Sequence, residues 1–235
     1  MLKAERKELI AVFLPEIRSK EDLVRLVDEL GFLPYFKGEI PGFSIEENCR
    51  CLWGTPENPD CPWDWKGPVI RESGCAYGKF YHGRALYISR DWFPDFANHR
   101  RDGYDYDARV DDGKARHKDE RIMQILTERS PLVSKELRAL ACLSEESRKG
   151  FDACMVFLQM QGYVTVSDFV YQTDRHGKPF GWGLAQYATP EQRFGADFTA
   201  RVYTREPSES AARIRAHLTK LLPQATPAQI ARFLG

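Results

Sequence analysis

The spacing of apolar residues predicts a helix near the start of the chain. Apolar side chains recur at three- and four-residue intervals from Leu23 to Leu30, which places them on one helix face. Ser19 stands before this run as an N-cap residue, with a carboxylate three positions later, and Gly31 follows it as a stop signal. The sequence therefore predicts a capped amphipathic helix over residues 19–31.

A different pattern follows this helix. Residues 32–68 are rich in proline, glycine and aromatic rings and show little period, which predicts irregular backbone held by large side chains. Residues 75–93 alternate across a His82-Gly83 pair, which predicts a β-hairpin. The residues at 91–116 are strongly charged, and we expect a connector there.

From Lys118 onward the pattern changes to short amphipathic helices. The first follows Lys118, the second takes Ser134 as its N-cap, and the third runs from Ser144 to Gly162. Two alternating segments come next and meet at a polar tip near residues 176–177. Three short helices followed by a hairpin are typical of a winged helix-turn-helix, in which the third helix can enter a DNA major groove and the hairpin can touch the backbone.

These elements predict an α+β fold in three parts. Residues 1–116 would form an N-terminal α+β domain, residues 117–190 the winged helix-turn-helix, and residues 191–235 a helical C-terminal segment. Within the last part we expect a linker, then a helix capped by Ser208, and then a short helix with Thr226 as its N-cap.

Composition limits the classes of function. The chain has 235 residues, 43% of them hydrophobic and 29% charged, so a core can form. It has no apolar run near the roughly 20 residues that a membrane span needs, and no signal-peptide core, which predicts a cytoplasmic protein. Lys and Arg together number 34, as do Asp and Glu, so no general attraction to polyanions is expected.

Binding of double-stranded DNA must therefore rest on shape and on locally placed cations. The third helix carries cations in its first turn, the hairpin carries others at its tip, and a further pair stands in the charged connector. The candidate DNA contacts are Arg100, Arg101, Arg148, Lys149, Arg175, His176 and Lys178.

Six cysteines are present, and four of them lie before the winged-helix region. Cys49, Cys51, Cys61 and Cys75 follow the order C-x-C-x9-C-x13-C, which differs from the usual zinc-ribbon and zinc-finger spacings. We expect free thiols and no metal or other cofactor, with a zinc site at these four residues as the alternative.

Two further segments resemble the winged-helix DNA glycosylases of the AlkZ/YcaQ type. The first runs from Leu30-Gly31-Phe32-Leu33 to Leu52-Trp53, and the second is the corner containing Trp92, Pro94, Phe96, Arg100 and Arg101. With the winged helix, the resemblance touches about two-thirds of the chain. The chain also looks similar to shorter bacterial proteins known only as relatives of that glycosylase. The resemblance implies a winged-helix fold that acts on DNA.

The resemblance also implies a catalytic Gln-x-Gln or Gln-x-Asp directly after the Leu-Gly-apolar segment. In that family the polar pair holds the attacking water and stabilises positive charge on the sugar. The matching positions here are Pro34, Tyr35 and Phe36, none of which is a carboxylate or an amide. We therefore expect a DNA-binding relative without the usual base-excision activity.

A Gln-x-Gln does occur at Gln159 and Gln161, but it lies at the end of the third predicted helix. Side chains two positions apart on a helix point about 200° from each other, so these amides cannot converge on one water.

Two alternatives stay open. In the first, the protein is an active glycosylase that uses other groups, for which Tyr35, Glu39, Glu46 and Glu47 are the weak candidates. In the second, the protein is an interaction module that binds other proteins and no nucleic acid, which the zero net charge favours. A basic surface cleft would favour the DNA-binding hypotheses, and dispersed surface charge would favour the interaction module.

Overall fold

A computed structural model describes residues 14–54, 60–142, 144–177 and 179–235 of the chain. Its α-helices are α1 (Lys20–Leu30), α2 (Ile45–Asn48), α3 (Pro62–Ser73), α4 (Phe93–Arg101), α5 (Tyr106–Asp111), α6 (His117–Arg129), α7 (Ser134–Ala141), α8 (Glu145–Met160), α9 (Pro190–Phe194), α10 (Ala196–Ala200), α11 (Pro207–Leu221) and α12 (Pro227–Leu234), with a 3-10 turn at Arg201–Tyr203. Its strands are β1 (Phe32–Pro34), β2 (Ala76–Tyr81), β3 (Arg84–Ile88), β4 (Leu132–Val133), β5 (Thr165–Thr173) and β6 (Pro179–Ala188).

The six strands form one antiparallel sheet in the order β1-β3-β2-β5-β6-β4. The N-terminal hairpin joins the later hairpin where Tyr77 of β2 pairs with Val166 of β5. Beside this pair, the Thr165 hydroxyl donates to the carbonyl of Tyr77 at 3.0 Å. The sheet therefore crosses the boundary expected at residue 116, and the three-part division remains a prediction.

Local signals placed several elements correctly. The Ser19 hydroxyl accepts from the N–H of Asp22 at the start of α1, and Gly31 ends that helix at φ 76°. His82 and Gly83 both adopt positive φ in the turn between β2 and β3, as a tight hairpin turn requires. Thr226 caps α12 as expected.

Two cap assignments were wrong. Ser134 is the first residue of α7, and the N-cap is Val133. Ser208 lies in the first turn of α11, because Glu206 and Glu209 form the capping box there.

The expectation of irregular backbone over residues 32–68 was wrong at β1, at α2 and at the end of the range, where α3 begins. Pro62 occupies its first turn, where a missing N–H costs nothing, but Gly67 and Pro68 inside it argue against a helix from sequence alone. Burial of Trp65, Val69 and Ile70 in the core compensates for those two residues.

The connector expected at 91–116 and the linker expected after Pro190 were also wrong. The first contains α4 and α5, and the second contains α9 and α10. Phe93, Phe96 and Ala97 are buried on one face of α4, and Phe198 is buried in α10. These helices are so short that packing, and not intrinsic propensity, stabilises them.

In the described part of the chain, most of the buried apolar residues form two clusters. The larger unites residues from α1 through β3 with residues of α10 to α12, among them Leu23, Phe80, Leu218 and Phe233. The smaller consists mainly of residues of α6, α7 and α8, together with Leu132 of β4, Cys142 and the residues just before β5. No helix in the described ranges has both the length and the apolar character that a membrane span needs.

Candidate functional site

Aromatic rings form a continuous path from the interior to the surface where α3 meets β6. The Trp63 ring contacts Tyr35 at 6.0 Å, Trp53 at 4.3 Å and Trp182 at 5.9 Å, measured between ring centroids. Tyr35 is fully buried, whereas Trp53 is 45% and Trp182 70% exposed. We define the Trp63 cluster as Tyr35, Trp53, Trp63, Lys66, Phe169 and Trp182.

Lys66 is the cationic member of this cluster. Its Nζ lies 3.0 Å from the centroid of the Trp63 ring and 4.5 Å from that of Phe169, and the residue is only 5% exposed. Within the described ranges no carboxylate forms an ion pair with it. Burial lowers the pKa of the Lys66 amine to about 7, against a weaker opposing effect of the nearby Asp64 carboxylate.

Sequence reasoning missed Lys66 and Trp182. Trp65, the neighbour of Lys66 in the sequence, is buried in the core. Trp182 lies on β6, more than one hundred residues later, so only the sheet brings it to Trp63. The Trp-x-Trp-Lys run at 63–66 was the available signal for the lysine.

Pro34, Tyr35 and Phe36 lie at the inner end of the cluster. Pro34 belongs to β1 and is buried, and Phe36 is half-buried. The hydroxyl of Tyr35 is buried without a hydrogen-bond partner, and burial raises the pKa of this phenol far above its usual range. Tyr35 therefore does not line an open cleft and offers no base to an external substrate.

The three candidate carboxylates hold the local backbone. Glu46 accepts from the N–H of Lys37 at 2.8 Å, and Glu47 accepts from the N–H of Gly42 at 3.0 Å and from the Ser44 hydroxyl. Glu39 forms an ion pair with Arg232 of α12 at 2.9 Å. These contacts are those of turn and cap residues, not of a pair of carboxylates converging on one substrate.

The four early cysteines are free thiols in the structure. The Cys61 thiol donates to Asp64 at 3.2 Å, and Cys51 donates to the carbonyl of Trp53. Burial raises the pKa of the Cys49 and Cys61 thiols. Across the residues that the structure describes, no three histidine, cysteine or acidic side chains come together in a way that could hold a metal ion.

The comparisons with known proteins bear on this arrangement. A family model described as AlkZ related matches residues 17–235, which is nearly the whole chain. The chain belongs to the AlkZ-related family. The resemblance found in the sequence is thereby confirmed.

Among solved structures, the AlkZ-related chain is similar to the DNA glycosylase AlkZ of Streptomyces sahachiroi, with a TM-score of 0.49 and 14% identity. That match covers 95% of this chain and 61% of the other, so this chain spans less than two-thirds of that protein's length. A search of curated proteins found no match.

Two of the expected DNA contacts in this AlkZ-related protein belong to the interior. Arg101 is 1% exposed, and its guanidinium donates to the carbonyl of Gly162, to the Tyr203 hydroxyl and to Glu191. Because the whole guanidinium is buried, a phosphate at the surface does not reach it in this conformation. Arg100 is half-buried against the Phe96 ring, and burial lowers its pKa.

Four other expected contacts do reach the surface. Arg148 and Lys149 are exposed in the first turns of α8, and Arg175 and His176 are exposed at the hairpin tip. The Arg175 Nε lies 2.9 Å from the His176 ring nitrogen. Lys178 lies outside the described residues.

The Gln159 side chain links two elements of the fold. Its amide donates to the carbonyl of Met155 at 2.9 Å and accepts from the N–H of Lys79 at 3.0 Å, which joins α8 to β2. Gln161 is half-buried beyond the end of α8. The two amides do not form a catalytic pair.

Proposed function

We propose that this AlkZ-related protein binds double-stranded DNA through a winged helix-turn-helix made of α6, α7, α8 and the β5–β6 hairpin. The observation that carries the proposal is the exposure of Arg148, Lys149, Arg175 and His176 on this unit. Side chains in the first turns of the third helix and at the tip of the wing are those that reach DNA in such folds.

Only the beginning of α8 is available for this role. Gln159 attaches the end of the helix to β2, and Val156 lies against Gly83 of the first hairpin turn. The exposed residues of the first half include Arg148, Lys149 and Asp152, and Asp152 is paired with Arg138 of α7. Arg148 and Lys149 are thus the two cations of α8 that a phosphate can approach.

The binding test compares two double charge reversals. Arg148→Glu with Lys149→Glu should weaken binding to short duplexes of any sequence and make the logarithmic salt dependence shallower by about one unit for each lost phosphate contact. Arg215→Glu with Lys220→Glu changes the net charge by the same amount, at exposed residues of α11, and should leave DNA binding unchanged. Fluorescence anisotropy at several salt concentrations measures both.

Equal losses in the two double variants would mean that only net charge matters, and the proposed interface would be withdrawn. Tight binding by the Arg148/Lys149 double variant at low salt would withdraw it as well. A wild-type protein that binds no duplex at low salt would support the interaction-module alternative.

We also propose that the protein does not excise alkylated bases by the usual mechanism of its relatives. The buried positions of Pro34 and Tyr35 support this, because neither supplies a group that can orient an attacking water. Loss of a positioned general base costs about 10²–10⁴ in rate.

Single-turnover incubation with duplex DNA that carries methylated purines or a crosslink, scored for abasic sites, tests this second proposal. We expect product at the rate seen without protein. Product well above that rate, abolished in Tyr35→Phe or Glu46→Gln, would overturn the proposal and support the active-glycosylase alternative.

A further inference from the structure

Lys66 has the environment of a nucleophilic amine, and neither the fold nor the proposed interface requires one. Most lysines of soluble proteins lie at the surface with the ammonium group in water. Here the amine lies over the Trp63 ring at 3.0 Å and the Phe169 ring at 4.5 Å, and the Trp63 ring in turn contacts the exposed rings of Trp53 and Trp182.

Among the described residues, few charged groups surround this amine. On its own helix are Asp64 and the N-cap thiol of Cys61, which donates to Asp64. On β5 are Asp168, which Arg71 pairs, and Tyr171, whose pKa is raised by burial. The carboxylate of Asp168 lies beside Gly67. No described carboxylate forms an ion pair with Lys66, so nothing beside it fixes the ammonium form as a salt bridge would.

The protonation state of the amine is therefore open to change near neutral pH. Burial favours the neutral form and lowers the pKa of Lys66 to about 7. The ring faces of Trp63 and Phe169 favour the ammonium form. At neutral pH a much larger fraction of this amine is therefore neutral than in an ordinary exposed lysine, because each pKa unit changes that fraction about tenfold.

The surface above the amine has the chemistry of a base-stacking platform. Trp182 is 70% and Trp53 45% exposed, and both contact Trp63, which covers Lys66. Exposed indole rings can stack on unpaired bases of any sequence. Trp182 also belongs to β6, one of the two strands of the proposed wing.

We propose that the Trp63 cluster receives the sugar aldehyde of an abasic site in DNA, and that Lys66 binds it covalently. The inference rests on the proposed DNA binding and names a substrate class for this surface. Bases that flank the missing one would stack on Trp53 and Trp182, which brings the open-chain sugar to the amine beneath them.

The covalent step needs no cofactor or oxidant. The lone pair of the neutral amine forms a bond to the aldehyde carbon as the carbonyl π-bond breaks, and one proton passes from the nitrogen to the oxygen to give a neutral carbinolamine. The hydroxyl group then takes a proton from solvent water and leaves as water, while the nitrogen lone pair forms the C=N double bond of a protonated imine. Aldehydes are the substrates with which desolvated lysines form Schiff bases.

The experiment incubates the full chain with a labelled duplex that contains one abasic site, in the presence of cyanoborohydride, which reduces an imine to a stable amine. We expect a protein–DNA crosslink at neutral pH, mapped by mass spectrometry to the peptide that contains Lys66. The same duplex without an abasic site should give none.

Three variants make the test specific. Lys66→Met and Lys66→Arg should lower the crosslink at least about tenfold, because neither side chain can form an imine. Lys79→Ala, which removes an exposed lysine of β2, should leave it unchanged. Circular dichroism establishes that each variant is folded. A crosslink that persists in folded Lys66→Met overturns the proposal, as does its absence in wild type.

Two parallel measurements separate this inference from the proposed function. Duplex binding by anisotropy shows whether the protein engages DNA at all, so binding without a crosslink overturns only the role of Lys66. Reductive methylation with formaldehyde, measured for each lysine at several pH values, reports the reactivity of the Lys66 amine in the absence of DNA. Lys66 should react at lower pH than Lys79, and equal profiles for the two lysines would count against the proposal.

Discussion

At the residue scale, Lys66 shows how burial changes the chemistry of a side chain. Its pKa falls from 10.5 to about 7 on folding, because the protein interior solvates the ammonium form less well than water does. Between these two pH values the unfolded chain holds more protons than the folded one. The contribution of Lys66 to the free energy of unfolding therefore increases with pH across this interval.

Replacing Lys66 by methionine should remove this dependence. Lys66→Met should be more stable than wild type by the largest margin at or below about pH 7. This margin in the free energy of unfolding should decrease as the pH rises toward 10.5. The slope is at most about 1.4 kcal/mol per pH unit, which corresponds to one proton. Urea titrations of both proteins at several pH values measure it. A difference that does not vary with pH contradicts the shifted pKa.

At the scale of elements, Arg193 joins three segments that are distant in sequence. From α9 its guanidinium donates to the carbonyl of Ile70 in α3, to that of Cys75 and to that of Val166 in β5. Burial lowers the pKa of Arg193 to about 10, so the group remains charged at neutral pH. These hydrogen bonds fix α9 against the seam between the two hairpins.

Substituting Arg193 by alanine should lower the free energy of unfolding by about 3 kcal/mol, because three buried carbonyls lose a charged donor. Arg201→Ala, at an exposed position in the following 3-10 turn, is the matched control and should change stability by less than about 0.5 kcal/mol. Chemical denaturation gives both values. Similar effects in the two variants would show that the Arg193 contacts contribute little.

At the scale of the whole molecule, two apolar clusters share one sheet. The larger cluster takes Ile214, Leu218 and Phe233 from the C-terminal helices, so the N-terminal part of the core is completed from the other end of the chain. The smaller cluster lies mainly within α6 to α8. Pairing of β2 with β5 connects the two.

This connection predicts that the molecule unfolds as one unit. Leu218→Ala, at a fully buried position, should cost about 2–5 kcal/mol. Lys220→Ala, on the exposed face of the same helix, should cost less than about 0.5 kcal/mol.

Tryptophan fluorescence reports mainly the larger cluster, because Trp65 belongs to it and Trp63 and Trp92 pack against it, and far-UV circular dichroism reports the whole chain. Leu218→Ala should shift both transitions together. Separate transitions would instead support independent domains divided near residue 116.

Several features of this protein follow from the sequence alone because their causes are local. The period and cap of α1, the His82-Gly83 turn and the cap of α12 each depend on a few adjacent residues, and the structure has all three. The segments that carry the family resemblance are also local, and the match to the AlkZ-related family confirms that resemblance.

Only the tertiary structure decided where side chains with the same local signal would lie. Arg101 and Arg148 look alike as basic residues in a sequence, but one is buried under Gly162 and Tyr203 and the other is exposed. Helices α3 and α4 lack a side-chain N-cap and form because their apolar residues are buried against distant segments. The pKa of Lys66 depends on rings from α3 and β5, so it is a property of the folded chain.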